Sequence, residues 1–282
     1  MFWIVVSVIT VTLIGLKLYT RITLGICTST RRLDGKTVIV TGANTGIGKE
    51  TAHDLAQRGA RVILACRDLK RAQEACDGII AATGNKNVVV RELDLSSFAS
   101  VRKFANEIIK TEPQIDVLVN NAGAGGLGNK KSRDGLLIDK LKKSAPSRIV
   151  MVSSFAHKFA NFDLDNLNAE KSFNDVQVYN ISVTINSLHP GVVITDIFRR
   201  IPKFILPTVL FFLRIFAKNA RDGAQTSIYL AVSEEVEGVT GKYFADCKVA
   251  TVSSKAKDDG LAKKLWEKSE ALVGLKPEER HF

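Results

Sequence analysis

The sequence predicts an α/β fold in which one parallel sheet is wound with helices on both faces. Two observations support this prediction. Short, mainly apolar runs recur at residues 37–40, 60–66 and 115–119, as expected for parallel strands that are buried on both faces, and residues 88–95 predict another strand that ends with an Asp. A length of 282 residues with 45% hydrophobic content is enough for one large core, so a single domain is expected.

The first apolar run leads into a glycine-rich turn, TGANTGIG at residues 41–48, and a helix is predicted over residues 49–58. Glycine lets the backbone turn sharply and approach a pyrophosphate closely. The helix that follows presents unpaired N–H groups to the phosphates. This context favours a Rossmann-like dinucleotide site over an ordinary turn. The candidate cofactor-binding residues here are Gly42, Asn44, Thr45, Gly46, Ile47 and Gly48.

The end of the second predicted strand indicates which cofactor is bound. NAD enzymes usually carry a carboxylate at this point, which binds the ribose 2′-hydroxyl. Here Cys66 occupies the position and Arg67 follows it. Because an arginine fork suits a 2′-phosphate, Arg67 favours NADP(H), although a solvated surface arginine is the alternative. Asp68 keeps NAD(H) as a minor option.

Later motifs resemble those of the short-chain dehydrogenase/reductase family, in that family's order: Asp94-Leu95, NNAG at 120–123, VSS at 152–154 and HPG at 189–191. The amino-acid sequences at residues 41–51, 65–68 and 144–148 resemble those of the retinol dehydrogenase branch of this family. The resemblance covers roughly residues 33–250. It implies an NADP(H)-dependent oxidoreductase that interconverts retinal and retinol, or similar lipid carbonyls and alcohols. It adds further candidate cofactor-binding residues: Asp94, Leu95, Asn121, Ala122, Gly123, Pro190, Gly191 and Thr195. For Thr195, capping of a following helix is an alternative.

The same resemblance implies the catalytic residues. A serine positions the substrate oxygen and matches Ser154, while a tyrosine that transfers the proton matches Tyr179. The family has a lysine four residues after the tyrosine, which lowers the pKa of that tyrosine, but here the position is Val183. An asparagine that completes the proton relay is also absent, since none occurs between Asn129 and Asn161.

The losses suggest two internal truncations, near residues 136 and 180, within otherwise well-matched sequence. Skipped exons or an error in the gene model would explain them. Three interpretations follow. The chain is a membrane-anchored NADP(H)-dependent oxidoreductase, a catalytically defective isoform that retains the nucleotide site, or a non-enzymatic membrane-associated protein that binds lipid or a partner.

The N-terminus is predicted to be a membrane anchor over residues 1–25. Residues 2–16 carry no charge, and Lys17, Arg21, Arg31 and Arg32 follow. Positive charge after the segment places the domain on the cytosolic side. The membrane is expected to be that of the endoplasmic reticulum. A cleaved signal peptide is the lesser alternative, because a basic start and a small-residue cleavage site are not evident.

Charge and cysteine content narrow the class of partner. The net charge of +11 favours an anionic membrane surface over nucleic acid, since the basic residues are scattered without interleaved aromatic residues. An apolar stretch at residues 204–216 could enter lipid or cover a substrate pocket, with plain core packing as the alternative.

Four cysteines show no metal-ligand spacing, so no metal site is predicted and a reduced domain is expected. The catalytic domain is predicted over residues 33–254 and a charged tail over 255–282, with the oligomeric state open.

Overall fold

The structure is a computed structural model that describes residues 1–123, 138–154, 183–196, 213, 217–252 and 254–273. Within those ranges eight strands form one sheet: β1 (Thr37–Thr41), β2 (Arg61–Cys66), β3 (Val88–Glu92), β4 (Val117–Asn120), β5 (Ser147–Val152), β6 (Val183–His189), β7 (Tyr243–Ala245) and β8 (Lys248–Val249). The strand order is β3-β2-β1-β4-β5-β6-β7-β8. All neighbouring pairs are parallel except β7 and β8.

The described ranges also contain seven α-helices: α1 (Phe2–Ile22), α2 (Gly46–Gln57), α3 (Leu69–Thr83), α4 (Phe98–Thr111), α5 (Ile138–Lys143), α6 (Ala220–Val232) and α7 (Asp259–Val273). Helices α2 to α6 lie between strands along the chain, whereas α1 precedes β1 and α7 follows β8. The predicted doubly wound, Rossmann-like sheet is therefore confirmed. The order of strands reverses between β1 and β4. A crevice opens at such a reversal at the carboxyl ends of the strands, where α/β proteins bind ligands.

The core lies on both faces of the sheet because successive side chains of a strand point to opposite sides. Val38 and Val40 of β1 pack into a cluster with residues of α2, α3 and α6. Ile39, between them, packs into a second cluster with residues of α4 and α5. All five residues of β1, TVIVT, are buried, which explains why the strand carries no charged residue.

Two predicted elements have different bounds in the structure. The helix after the glycine-rich turn begins at Gly46, three residues before the predicted start, because Lys49 N already donates to Thr45 O at 3.3 Å. The sequence VTGKYF at residues 239–244 also predicts a final strand, and its bounds are wrong, since β7 covers only Tyr243–Ala245. Gly241 has a left-handed φ of +69° and its N–H donates to Ile185 O, which interrupts the extended run.

The N-terminal segment forms α1, a helix of 21 residues. No helix in the described part of the chain combines the length and the apolar character needed to cross a membrane. In the predicted charged tail, a short 3-10 turn precedes α7, and residues 274–282 lie outside the described ranges. The domain limits therefore stay a prediction.

Candidate functional site

The glycine-rich turn between β1 and α2 requires glycine for steric reasons. Gly42 has a φ of +65°, and a Cβ there would lie 2.9 Å from Ala122 Cα. A Cβ on Gly48 would lie 2.3 Å from Asn121 Nδ2 and 2.6 Å from Gly42 O. Real contacts of Cβ are not this short, so the backbone of the turn packs directly against the end of β4.

Asn121 joins the ends of β1 and β4 across the reversal of strand order. Its Nδ2 donates to Thr41 O at 2.9 Å and to Gly42 O at 3.3 Å. In return, Thr41 Oγ1 accepts from Asn121 N at 3.0 Å and from Ala122 N at 2.9 Å. Thr41 is buried and was missed in the sequence, where its position directly before Gly42 was the available signal. The exposed Ala122 and Gly123 follow at the mouth of the crevice.

The N-terminus of α2 differs from those of α3, α4 and α6. In those helices the side chain of Asp68, Ser97 or Asn219 accepts a hydrogen bond from a first-turn N–H. Thr45, the N-cap residue of α2, makes no such bond, and the first turn of α2 carries no acidic residue. The positive end of the helix dipole is therefore not neutralised from within α2, which suits a phosphate.

At the end of β2, Cys66 is buried and Arg67 is exposed. Burial raises the pKa of the Cys66 thiol to about 11, although N–H groups of Ala43 and Asn44 act in the opposite direction. The thiol thus lies beneath the glycine-rich turn and stays protonated at neutral pH. Asp68, which kept NAD(H) open, caps α3 by accepting from Arg71 N at 3.1 Å.

Asp94 and Leu95 lie at the end of β3. Asp94 Oδ1 accepts from Ser96 N at 2.9 Å and from Ser96 Oγ at 2.7 Å, and Asp94 N donates to Ser100 Oγ at 3.0 Å. Leu95 packs against the second core cluster. Asp94 therefore organises the turn between β3 and α4.

The loop after β6 reaches over the glycine-rich turn. Pro190 is buried, and Gly191 has a φ of +85°, where a Cβ would lie 3.1 Å from Lys218 Cε. Backbone hydrogen bonds tie the next residues to Lys218, whose N–H donates to Val192 O at 2.8 Å. Thr195 then packs on the start of α2, with its Cγ2 3.1 Å from the position a Cβ would take on Gly46. The structure thus brings the predicted residues of this loop to the same site as the glycine-rich turn.

The predicted catalytic residues are not seen together. Ser154 is exposed, two residues beyond the end of β5. Tyr179 lies outside the described residues, as does the apolar stretch at 204–216 except for Leu213. Val183 is the first residue of β6, is only 7% exposed, and pairs in register with Ser147. The position where the family has its lysine is therefore in the sheet.

Across the described ranges no group of three or more His, Cys, Asp or Glu residues is placed to hold a metal ion. All four cysteines, Cys27, Cys66, Cys76 and Cys247, are free thiols. His189 Nδ1 accepts from Gly191 N at 3.0 Å, so this ring helps to form the turn after β6.

Comparison with known proteins defines the class of protein first. Residues 36–136 match the family model described as short chain dehydrogenase. Among solved structures, an uncharacterised protein from Mycobacterium paratuberculosis superposes with a TM-score of 0.64 at 25% identity, covering 89% of this chain and 98% of that one. A hydroxysteroid dehydrogenase from Escherichia coli gives 0.55 at 23% identity, covering 76% and 95%. At 23% identity, the similarity to the hydroxysteroid dehydrogenase shows only that the fold is shared.

Sequence relatives then define the branch. Human retinol dehydrogenase 14 is 42% identical over 294 residues, covering 86% of this chain and 88% of that protein. Human retinol dehydrogenase 11 is also 42% identical, covering 89% and 90%. The chain belongs to the short-chain dehydrogenase/reductase family and to its retinol dehydrogenase-like branch. Since 86% of 282 residues is about 243, about 50 of the 294 aligned positions of the first relative have no counterpart here.

Proposed function

We propose that this protein is an NADP(H)-dependent oxidoreductase that interconverts retinal and retinol, or similar lipid aldehydes or ketones and their alcohols. The observation that carries the proposal is the crevice between β1 and β4. There Gly42 and Gly48 leave no room for a Cβ, Asn121 clamps the two strand ends, and α2 has no internal cap. The membership of the retinol dehydrogenase-like branch supports the substrate class.

NADP(H) is favoured over NAD(H) by two features at the end of β2. Arg67 is exposed at the point where a 2′-phosphate would lie, and its guanidinium can form paired hydrogen bonds with phosphate oxygens. Asp68, the nearby carboxylate, is used to cap α3. When bound, the nicotinamide would supply or accept the hydride, and this chain's residues would hold and orient it.

A second candidate is a nucleotide-binding protein whose chemistry is impaired, and Val183 favours it. In the family the lysine lowers the pKa of the catalytic tyrosine. An unperturbed tyrosine has a pKa near ~10, so only about one in a thousand is ionised at neutral pH. Lowering that pKa by ~3 units corresponds to roughly 4 kcal/mol. Without a cation, Tyr179 would still donate a proton in reduction but would be a poor base for oxidation.

Chain geometry adds to this second candidate. Val183 lies beside Ser147 at the amino edge of the sheet, whereas Ser154 lies at the carboxyl edge. Seven residues of extended chain from Ser147 to Ser154 span roughly 23 Å. The four residues from Tyr179 to Val183 reach at most about 14 Å. Even a fully extended chain would therefore leave about 9 Å for the side chains at positions 179 and 154 to bridge.

Binding and turnover, measured separately on the full chain in detergent, distinguish the two candidates. NADPH binding is followed by cofactor fluorescence, with Arg67→Glu expected to weaken it. Saturable binding with retinal reduction that Tyr179→Phe abolishes supports the first candidate. Saturable binding with turnover lower by orders of magnitude than that of retinol dehydrogenase 11, and unchanged in Tyr179→Phe, supports the second. A folded protein that binds neither NADPH nor NADH contradicts both.

We also propose that residues 1–25 hold the protein at a membrane, with the domain on the cytosolic face of the endoplasmic reticulum. Support comes from the uncharged residues 2–16, the basic residues that follow them, and exposed apolar side chains of α1 such as Trp3, Ile14 and Leu18. Alkaline extraction of cell membranes tests the attachment, and protease digestion of sealed microsomes tests the orientation. Release of the protein by alkali would contradict a stable anchor.

A non-enzymatic membrane protein is the third interpretation. It depends on the apolar stretch at residues 204–216, which lies outside the described residues apart from Leu213. Saturable dinucleotide binding would argue against it.

A further inference from the structure

Asp196 links three separate elements above the glycine-rich turn. Its Oδ2 accepts from Arg71 Nη2 at 2.6 Å and from Thr45 Oγ1 at 3.3 Å. Arg71 belongs to the first turn of α3, Thr45 is the N-cap residue of α2, and Asp196 follows β6. Arg71 and Asp196 are 125 residues apart in sequence, so only the folded chain brings them together.

The link lies where a dinucleotide phosphate would bind. Thr195, next to Asp196, packs on Gly46 at the start of α2. The hydroxyl of Thr45 donates to Asp196 instead of accepting a capping bond from its own helix. The carboxylate therefore brings a negative charge to the positive end of α2, which is where the dipole also favours a phosphate. The Asp196 carboxylate and a bound phosphate would therefore compete for the N-terminus of α2.

The ion pair between Arg71 and Asp196 can be replaced easily by a contact between Arg71 and another anion. The side chains of Arg71 and Asp196 are 41% and 45% exposed, and ion pairs this exposed contribute little to stability. A phosphate group offers more acceptor oxygens than one carboxylate, and the planar guanidinium matches phosphate geometry. Arg71, in the first turn of α3, also lies only four residues after Arg67, which directly follows β2.

We propose that a phosphate of the bound dinucleotide displaces Asp196, and that Arg71 then becomes a second cationic contact of the cofactor beside Arg67. This inference rests on the proposed binding of NADP(H). Asp196 thereby weakens cofactor binding, and Arg71 strengthens it. Both are binding and positioning residues and take no part in hydride or proton transfer.

The test compares dissociation constants of NADPH and NADH for the full chain in detergent at low salt. Asp196→Asn keeps the shape of the side chain and removes its charge. It is expected to tighten binding roughly twofold to fivefold, the range for loss of one exposed charge contact. Arg71→Met is expected to weaken binding by about threefold or more, also in the Asp196→Asn background. The matched control is Asp34→Asn, which removes an exposed carboxylate paired with Arg32 at the opposite edge of the sheet.

The pattern across the two cofactors identifies the phosphate. Tightening of NADPH alone by Asp196→Asn indicates competition with the 2′-phosphate, and equal tightening of both cofactors indicates the bridging pyrophosphate. The inference is overturned if Asp196→Asn leaves both constants at wild-type values or weakens them, or if Asp34→Asn gives the same gain. It is also overturned if Arg71→Met does not weaken binding. Failure of every form, including wild type, to bind either cofactor would refute the proposed function itself.

Discussion

Replacing Gly48 by alanine tests whether the glycine-rich turn is built as the contacts indicate. The new Cβ would lie 2.3 Å from Asn121 Nδ2 and 2.6 Å from Gly42 O, and the latter is backbone. Asn121 would have to move and give up its hydrogen bonds to Thr41 O and Gly42 O. Overpacking costs about 1–3 kcal/mol and each lost hydrogen bond about 0.5–1.5 kcal/mol. The helix propensity of alanine returns up to ~1 kcal/mol.

The expected net loss is about 1–6 kcal/mol of the free energy of unfolding. For a chain of this size each kcal/mol corresponds to about 2–4 °C, so the unfolding temperature should fall by about 2–24 °C. Thermal unfolding of the full chain in detergent, followed by circular dichroism, measures this shift. Dinucleotide affinity should fall as well, because the clash distorts the turn.

Gly78→Ala is the matched control. Gly78 lies within α3, and a Cβ there would meet nothing within 4 Å. Alanine should therefore stabilise this helix by about 0.5–1 kcal/mol. Two identical substitutions are thus expected to have opposite signs. If Gly48→Ala instead raises the unfolding temperature as Gly78→Ala does, the close approach of Asn121 to the turn is wrong.

Two further predictions concern the amino edge of the sheet and the start of β6. Glu112 is almost fully buried and binds Arg61 through two hydrogen bonds of 2.6 and 2.8 Å, and this contact lowers the pKa of its carboxyl. Glu112→Gln should cost about 1–3 kcal/mol, less than for a fully buried pair because Arg61 is 34% exposed. A carboxylate with a lowered pKa stabilises fully above its unfolded pKa, near ~4.3, and loses this contribution as pH falls through the folded value. The difference in unfolding temperature between wild type and Glu112→Gln should therefore shrink from pH 6 towards pH 3, and a constant difference would contradict the pairing. Val183→Lys should destabilise by several kcal/mol, because burial of an unpaired charge is costly, and should not raise retinal turnover. Thr184→Lys, at the neighbouring and more exposed position, is the control, and increased turnover in Val183→Lys would refute the assignment of this position to the sheet.

Much of the fold could be predicted because its signals are local. The strands are short apolar runs, and the glycine-rich turn directly follows the first of them. The end of β2 could also be predicted, since the apolar run ends at Cys66 and Arg67 directly follows it. Boundaries were less predictable. The start of α2 lies inside the turn, and the last parallel strand is short because Gly241 adopts a left-handed conformation.

Contacts between segments that are distant in sequence could not be predicted from such local signals. Thr41 is an ordinary strand residue in the sequence, yet its hydroxyl accepts two N–H groups from the end of β4. Asp196 and Arg71 belong to no local pattern, and their pairing depends on how the loop after β6 crosses the sheet. The sequence leaves Asp68 open as a ligand of the cofactor ribose, and only the structure assigns its side chain to the cap of α3.

The sequence by itself determined the class of fold and the family, and it predicted the place of a nucleotide site, because periodicity and motif spacing are properties of contiguous residues. It also determined that a lysine is missing at position 183. The tertiary structure decided that this position is a buried residue at the amino end of β6, far along the sheet from Ser154. It also decided which side chains surround the start of α2. These outcomes depend on the register of neighbouring strands and on contacts across more than a hundred residues, which arise only when the sheet forms.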